Sequence, residues 1–262
     1  MAKTSQFKAY DLRRKKLHTI SSPPVKLTQS RLERGEWAAA TKASASATTR
    51  PSKVTKKRGR FSKKAATKKP PQRAADLMRC AASDEIECLH CNKPGDDQTC
   101  GVSCYREFKK QHFVGKQIDI RGPGPMGYGA YTKPGVSIEN GQYLDEYIGD
   151  LRPLKSYESS SSLYCFVIPQ TCVVDAEKAG NWTRFVNSSC KPNVKPWADF
   201  VGKRHVIVFQ ALKDIGPEEE IVFDYGKAYF EKAGFECACD AHDRRHLPGQ
   251  NEPKAKKAGS RR

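Results

Sequence analysis

The chain has no run of about 20 apolar residues, the length a helix needs to cross a bilayer. Its first residues, MAKTSQFKAYDLRRKK, contain no apolar core of the kind a secretory leader carries. These two absences set the expectation of a soluble intracellular protein without membrane contact. The ten cysteines are then thiols or metal ligands rather than disulfides. Large apolar residues are scarce over residues 1–79, which are rich in Ser, Ala, Thr, Pro and Lys. Nothing there is expected to form a core, and only a short helix near 29–40 is foreseen. Helical pattern is scarce elsewhere too, with 106–112 and 226–233 as the candidates, and there is no internal repeat.

Acidic residues are also in short supply, 29 against 47 Lys and Arg, for a net charge of +18. The excess sits at the ends. Residues 1–79 hold 22 Lys and Arg against 4 Asp and Glu, a net of +18, residues 80–246 hold 20 against 24, and residues 247–262 add a net of +4. The ends therefore read as disordered basic tails, 1–79 and 247–262. A segment such as KKRGRFSKKAATKK (56–69) attracts nucleic acid through counterion release and has the composition of a nuclear localisation signal.

From Cys80 the composition changes. Short β-type runs appear at 117–120, 136–138, 143–148, 163–168, 171–174, 205–211 and 220–223, separated by Gly, Pro and Asn. This spacing predicts a β-rich domain of small sheets with short helices. Five cysteines fall within 80–110, and four of them form Cys88-x2-Cys91-x8-Cys100-x3-Cys104. Two close pairs are what tetrahedral thiolate zinc requires; the alternative is unrelated free thiols.

Four segments in the β-rich region occur in fixed order. GPMGYGA (124–130) sets two glycines around an aromatic, which permits close backbone approach but is also what an ordinary tight turn looks like. LDEYIGD (144–150) alone is an ordinary strand and turn. GNWTRFVNSSCKPN (180–193) crowds Asn, Arg, Ser, Cys and Pro into an apolar setting, a composition suited to a hydrogen-bonded loop holding a polar ligand. EEEIVFDYG (218–226) runs from an acidic turn through an apolar strand to a tyrosine that projects where the strand stops.

This series, GxG, EYxG, RFxNxSCxPN and EExxxFDYG, resembles the SET domain of protein-lysine methyltransferases, over about 120 residues. The resemblance implies a fold of small β-sheets with a C-terminal pseudoknot, and methyl transfer from S-adenosylmethionine to a lysine amine. With the cysteine spacing, the expected division is a Cys-rich, zinc-binding segment 80–112, a SET domain 113–236 and a degenerate closing segment 237–246. By motif position, Met126, Gly127, Tyr128, Tyr164, Arg184, Asn187, Ser188, Tyr225 and Tyr229 are expected to contact the cofactor. Tyr164, Phe223 and Tyr225 are expected to line the substrate lysine channel, with Tyr225 catalytic. For Tyr164 and Tyr229 the plain alternative is a core aromatic. Phe223, at the family's Phe/Tyr switch position, implies a di- or trimethylating enzyme.

Two departures stand out. The family's NHSC appears as Asn187-Ser188-Ser189-Cys190, with serine at the histidine position. The C-x-C-x4-C segment that shares a zinc with the motif cysteine is present as Cys237 and Cys239 beside Cys190, but Arg244 stands where the third cysteine is expected. His242 or His246 can serve as the fourth ligand; the alternative is a metal-free remnant. The expected function is a nuclear, chromatin-acting lysine methyltransferase whose substrate is a histone tail or another basic protein. Nucleic acid or the nucleosome is expected to be held non-specifically by the basic tail. The alternative is a chromatin-binding protein that keeps the fold and has lost turnover.

Overall fold

The computed structural model describes residues 8–11, 16–19, 25–47, 71–78, 86–234 apart from 96, 125 and 161, and Cys237. The architecture is strand-rich, with small sheets and short helices, as the sequence predicts. One four-stranded sheet has the order Asn187–Ser188, Glu220–Phe223, Gly127–Thr132, Ile118–Gly124. A second has the order Arg31–Leu32, Asp150–Arg152, Cys172–Asp175, Cys165–Ile168. A three-stranded sheet joins Val194–Phe200, His205–Ala211 and Tyr143–Glu146.

The inner faces of these sheets share one core. Ile138, Leu144, Leu151, Ile168, Val174, Phe209, Ile215 and Ile221 are buried in it. A smaller cluster ties the cysteine-rich segment to the three-stranded sheet: Cys88, Cys100, Cys104 and Phe108 pack with Phe200, Val206 and Val208. Phe108 lies on the helix Val102–His112, whose last turn carries Lys109, Lys110 and His112, favourable for the helix dipole.

Two glycines are fixed by close approach. A Cβ on Gly129 would overlap the Glu220 carboxylate, and one on Gly149 would overlap the Asp175 backbone carbonyl. Both belong to motifs singled out in the sequence, GxG and EYxG, so these motifs mark places where strands meet without room for a side chain.

Among the described residues of 1–79, the expectation of a disordered tail is corrected. Val25–Lys26 pairs in parallel with Ala179–Gly180, and Arg31–Leu32 with Asp150–Leu151. The helix Arg34–Ala47 follows, later and longer than the one foreseen at 29–40. Leu32, Trp37, Ala74 and Leu77 pack against the core, and Met78 is fully buried in it. The composition is indeed too poor in apolar residues for an independent core. The segment orders because a sheet edge and an apolar face already exist for it to join.

Other differences are of the same kind. Of the run 136–138 only an isolated bridge, Ile138 to Ile215, forms. The segment GPMGYGA, for which an ordinary tight turn is the plain alternative, leads into the strand Gly127–Thr132, because Glu220–Phe223 and Ile118–Gly124 flank it. The remaining tail residues, the basic run 56–69, Cys80, Cys239, His242, Arg244 and His246 lie outside the described residues.

Candidate functional site

The last motif segment is held in place by the third. Asn187–Ser188 runs parallel to Val222–Phe223, and the Ser189 N–H donates to the Phe223 carbonyl at 3.0 Å. Asn193, buried, seals the junction. Its Nδ2 donates to the Glu220 carbonyl at 2.7 Å, and its Oδ1 accepts from the Val222 N–H at 2.8 Å. The chain then leaves the strand at Asp224 and turns Tyr225 inward. Ser188 Oγ accepts from the Tyr225 N–H at 3.4 Å, and the Tyr225 hydroxyl donates to the Val186 carbonyl at 2.7 Å.

Tyr225 lies in a small cleft lined mainly by aromatic rings and one cation. Tyr164, Arg184, Phe223 and Tyr229 share it. Ring centroids of Phe223 and Tyr229 each lie 4.5 Å from that of Tyr225. Burial pushes the phenols of Tyr225 and Tyr229 above their ordinary range. Both therefore stay protonated at neutral pH.

Arg184 is buried, and a buried cation needs partners. Its Nε donates to the Ala176 carbonyl at 2.7 Å and its Nη2 to the Glu177 carbonyl at 3.0 Å. The guanidinium lies over the Tyr164 ring at 4.6 Å and the Phe185 ring at 4.8 Å. The Tyr164 carbonyl accepts from the Tyr147 hydroxyl at 2.7 Å.

Of the residues singled out from the sequence, Tyr164, Arg184, Phe223, Tyr225 and Tyr229 come together in this cleft. Met126, Gly127, Tyr128, Asn187 and Ser188 do not line it. Met126 sits in the turn before the strand Gly127–Thr132, and the other four lie on the sheet that also carries Phe223. Tyr128 meets Phe185 edge-on at 6.4 Å, and Asn187 Nδ2 donates to Glu220 Oε1 at 2.8 Å. Sequence reasoning missed Tyr147, Cys165 and Phe166, which also line the cleft. Tyr147 belongs to EYxG, and its place in that motif is the one signal that could have pointed to it.

The cysteines of the upstream cluster converge. The Sγ atoms of Cys88, Cys91, Cys100 and Cys104 all lie within 4.8 Å of one another, and the Gly202 N–H donates to Cys88 Sγ at 3.3 Å. Near the C-terminal side of the cleft, Cys190 Sγ and Cys237 Sγ are 4.0 Å apart. No described helix is long and apolar enough to cross a membrane.

A family model described as the SET domain matches residues 99–226. The match takes in Cys100, Cys104 and the helix Val102–His112 as well as all four motifs. The chain is 29% identical over 175 residues to the histone-lysine N-methyltransferase ASHH2 of Arabidopsis thaliana, covering 63% of this chain and 10% of that protein. It is 38% identical over 111 residues to the histone-lysine N-methyltransferase trithorax of Drosophila virilis, covering 39% and 3%. To the histone-lysine N-methyltransferase SETD1 of Drosophila melanogaster it is 30% identical over 149 residues, covering 54% and 9%. The chain thus spans a tenth or less of the length of these relatives.

Proposed function

Because the chain belongs to the SET-domain family, with its SET domain at residues 99–226, we propose that it methylates lysine side chains of a protein, using S-adenosylmethionine. The observation that carries this reading is the cleft in which Tyr164, Arg184, Phe223, Tyr225 and Tyr229 converge. Its aromatic walls suit both an adenosyl group and an aliphatic lysine stem. Met126, Gly127, Tyr128, Asn187 and Ser188 complete the cofactor-binding set on the adjoining sheet. When bound, the cofactor supplies an electrophilic methyl group on a sulfonium.

The chain's own residues prepare the amine. A lysine with a pKa of about 10.4 enters as an ammonium, which cannot attack. Apolar walls and the Arg184 guanidinium disfavour that charge, so the proton is lost to water. Tyr225, itself protonated, acts by orienting the lysine nitrogen rather than as a base. Phe223 contributes no hydroxyl to hold a water, which leaves room for di- and trimethyl products.

Four thiolates around zinc at about 2.3 Å stand about 3.8 Å apart, so Cys88, Cys91, Cys100 and Cys104 suit a structural zinc. Cys190 and Cys237, with Cys239, suit a second one. One or two equivalents of zinc are expected in the purified protein by elemental analysis, and none would reject both sites.

We take the substrate to be a histone tail or a similar basic protein, the setting nuclear chromatin, and the basic tail a non-specific nucleic-acid contact. The competing reading, a SET fold without turnover, rests on serine at the histidine position and on Arg244 where the third closing cysteine is expected. The fit of Ser188, buried and accepting the Tyr225 N–H, speaks against it. Radiolabelled cofactor with recombinant histones and nucleosomes tests the proposal. Labelling of one histone is expected, with di- or trimethyl-lysine by mass spectrometry, and its loss by about a hundredfold in Tyr225→Phe with cofactor binding retained. No label on any histone or nucleosome, or full activity in Tyr225→Phe, would overturn it.

A further inference from the structure

Tyr164 is fixed to its neighbours through the backbone, and the fixing begins far away in sequence. Its N–H donates to Ser162 Oγ at 3.2 Å. Ser162, buried, donates in turn to Asp175 Oδ1 at 2.8 Å. The other carboxylate oxygen of Asp175 receives Nη1 of Arg152, and that nitrogen also donates to Ser160 Oγ at 3.2 Å. Behind Arg152 stands Glu36, in the first turn of the helix Arg34–Ala47. It accepts from Arg152 Nε at 2.9 Å and pairs with Nη2 at 2.9 Å.

We propose that Glu36 is a positioning residue for the cleft, acting through Arg152, Asp175 and Ser162 on the backbone of Tyr164. The inference rests on the lysine methyltransferase reading given above. Three features carry it. Asp175 is buried, so its charge must be matched locally, and among the described residues Arg152 is the one cation paired with it. Arg152 forks between two carboxylates; without Glu36 its guanidinium is free to pivot on Asp175. The next two residues, Ala176 and Glu177, supply the carbonyls that hold Arg184, so a shift at Asp175 reaches both Tyr164 and the cation stacked on it. The N-terminal segment thereby becomes part of the cleft's construction rather than a passive cover.

A thermodynamic cycle on the full-length chain tests this. Glu36→Ala and Ser162→Ala are made singly and together, and kcat/KM is measured on the histone that the radiolabelling identifies. In a relay, Glu36→Ala lowers kcat/KM about tenfold alone but less than about twofold when Ser162 is already alanine. Equal factors in the two backgrounds overturn the proposal. Glu36→Gln keeps an acceptor for Arg152 and is expected to restore most of the loss, which a purely structural role for the helix also has to explain.

Amide hydrogen exchange supplies a second readout that does not need activity. The Tyr164 N–H is expected to exchange faster in Glu36→Ala, with the amides of His205–Ala211 unchanged. A Tyr164 rate equal to wild type overturns the relay, as does uniform acceleration of both sets. Should the wild-type chain methylate nothing, the methyltransferase reading fails, and the exchange rates still decide for or against the relay.

Discussion

Two walls border the aromatic cleft, and they are secured by different means. One carries Phe223 and Tyr225. Its support is backbone pairing between two neighbouring motif segments, sealed by the buried amide of Asn193. The other carries Tyr164. Its support is a chain of side chains, Ser162, Asp175, Arg152 and Glu36, that ends on a helix more than a hundred residues earlier in sequence. Backbone pairing tolerates many side chains and fails when a key amide is lost. A side-chain relay depends on the charge and length of each member, so it is easier to tune and easier to break.

The contrast gives graded predictions. Asn193→Ala should have the largest effect on stability, a loss of about 3 kcal/mol, since it strips the Glu220 carbonyl and the Val222 N–H of partners in a buried seam. Urea denaturation measures it, and a loss under about 1 kcal/mol would mean that backbone pairing alone secures that wall. Trp37→Ala attacks the support of the second wall. The indole N–H donates to the Leu151 carbonyl at 2.9 Å, and the ring is only partly buried, so a loss of about 2 kcal/mol is expected by the same measurement. No change would mean that the N-terminal helix is held by Glu36 and Arg31 alone.

The smallest effect concerns a buried seam between the strand Tyr143–Glu146 and Trp182. Asp145 accepts from the indole N–H of Trp182 at 2.7 Å and from the Glu146 N–H at 2.9 Å. Burial outweighs these donors and lifts its carboxyl to about 7. A carboxyl raised above its unfolded value of about 3.9 stabilises the fold below that pH, and this contribution fades as pH rises to about 7. Asp145→Asn, which cannot ionise, should therefore compare better with wild type at pH 8 than at pH 5, by on the order of 1 kcal/mol. Melting curves at the two pH values check it; a constant difference would mean that the seam is already neutralised by its donors.

The first wall and Tyr164 itself were legible in the sequence, the relay behind Tyr164 was not, and the reason is physical. Phe223, Tyr225, Arg184 and Asn187 lie in motifs whose residues meet over short separations, and the runs 205–211 and 220–223 carry enough apolar pattern to be read as strands. Arg31–Leu32, Ala179–Gly180 and Asn187–Ser188 are two residues each, too short to have a period; they are strands only because a partner offers its edge. Glu36 and Arg152 read as ordinary surface charges until the fold sets them together. Tyr147 was hidden in a segment that alone reads as strand and turn, and only the sheet packing brings its hydroxyl to the Tyr164 carbonyl.

The parallel pairing of Arg31–Leu32 with Asp150–Leu151 bears on how the protein has to be handled. Without the segment 25–47, Asp150–Arg152 would become an open sheet edge, with its N–H and C=O groups facing water beside the apolar patch vacated by Leu32 and Trp37. Such an edge recruits strands from other molecules. A chain that begins at residue 48, which keeps Met78 and all four clustered cysteines, should therefore self-associate, and insolubility of that fragment would report a missing neighbour rather than a fault in the SET domain itself.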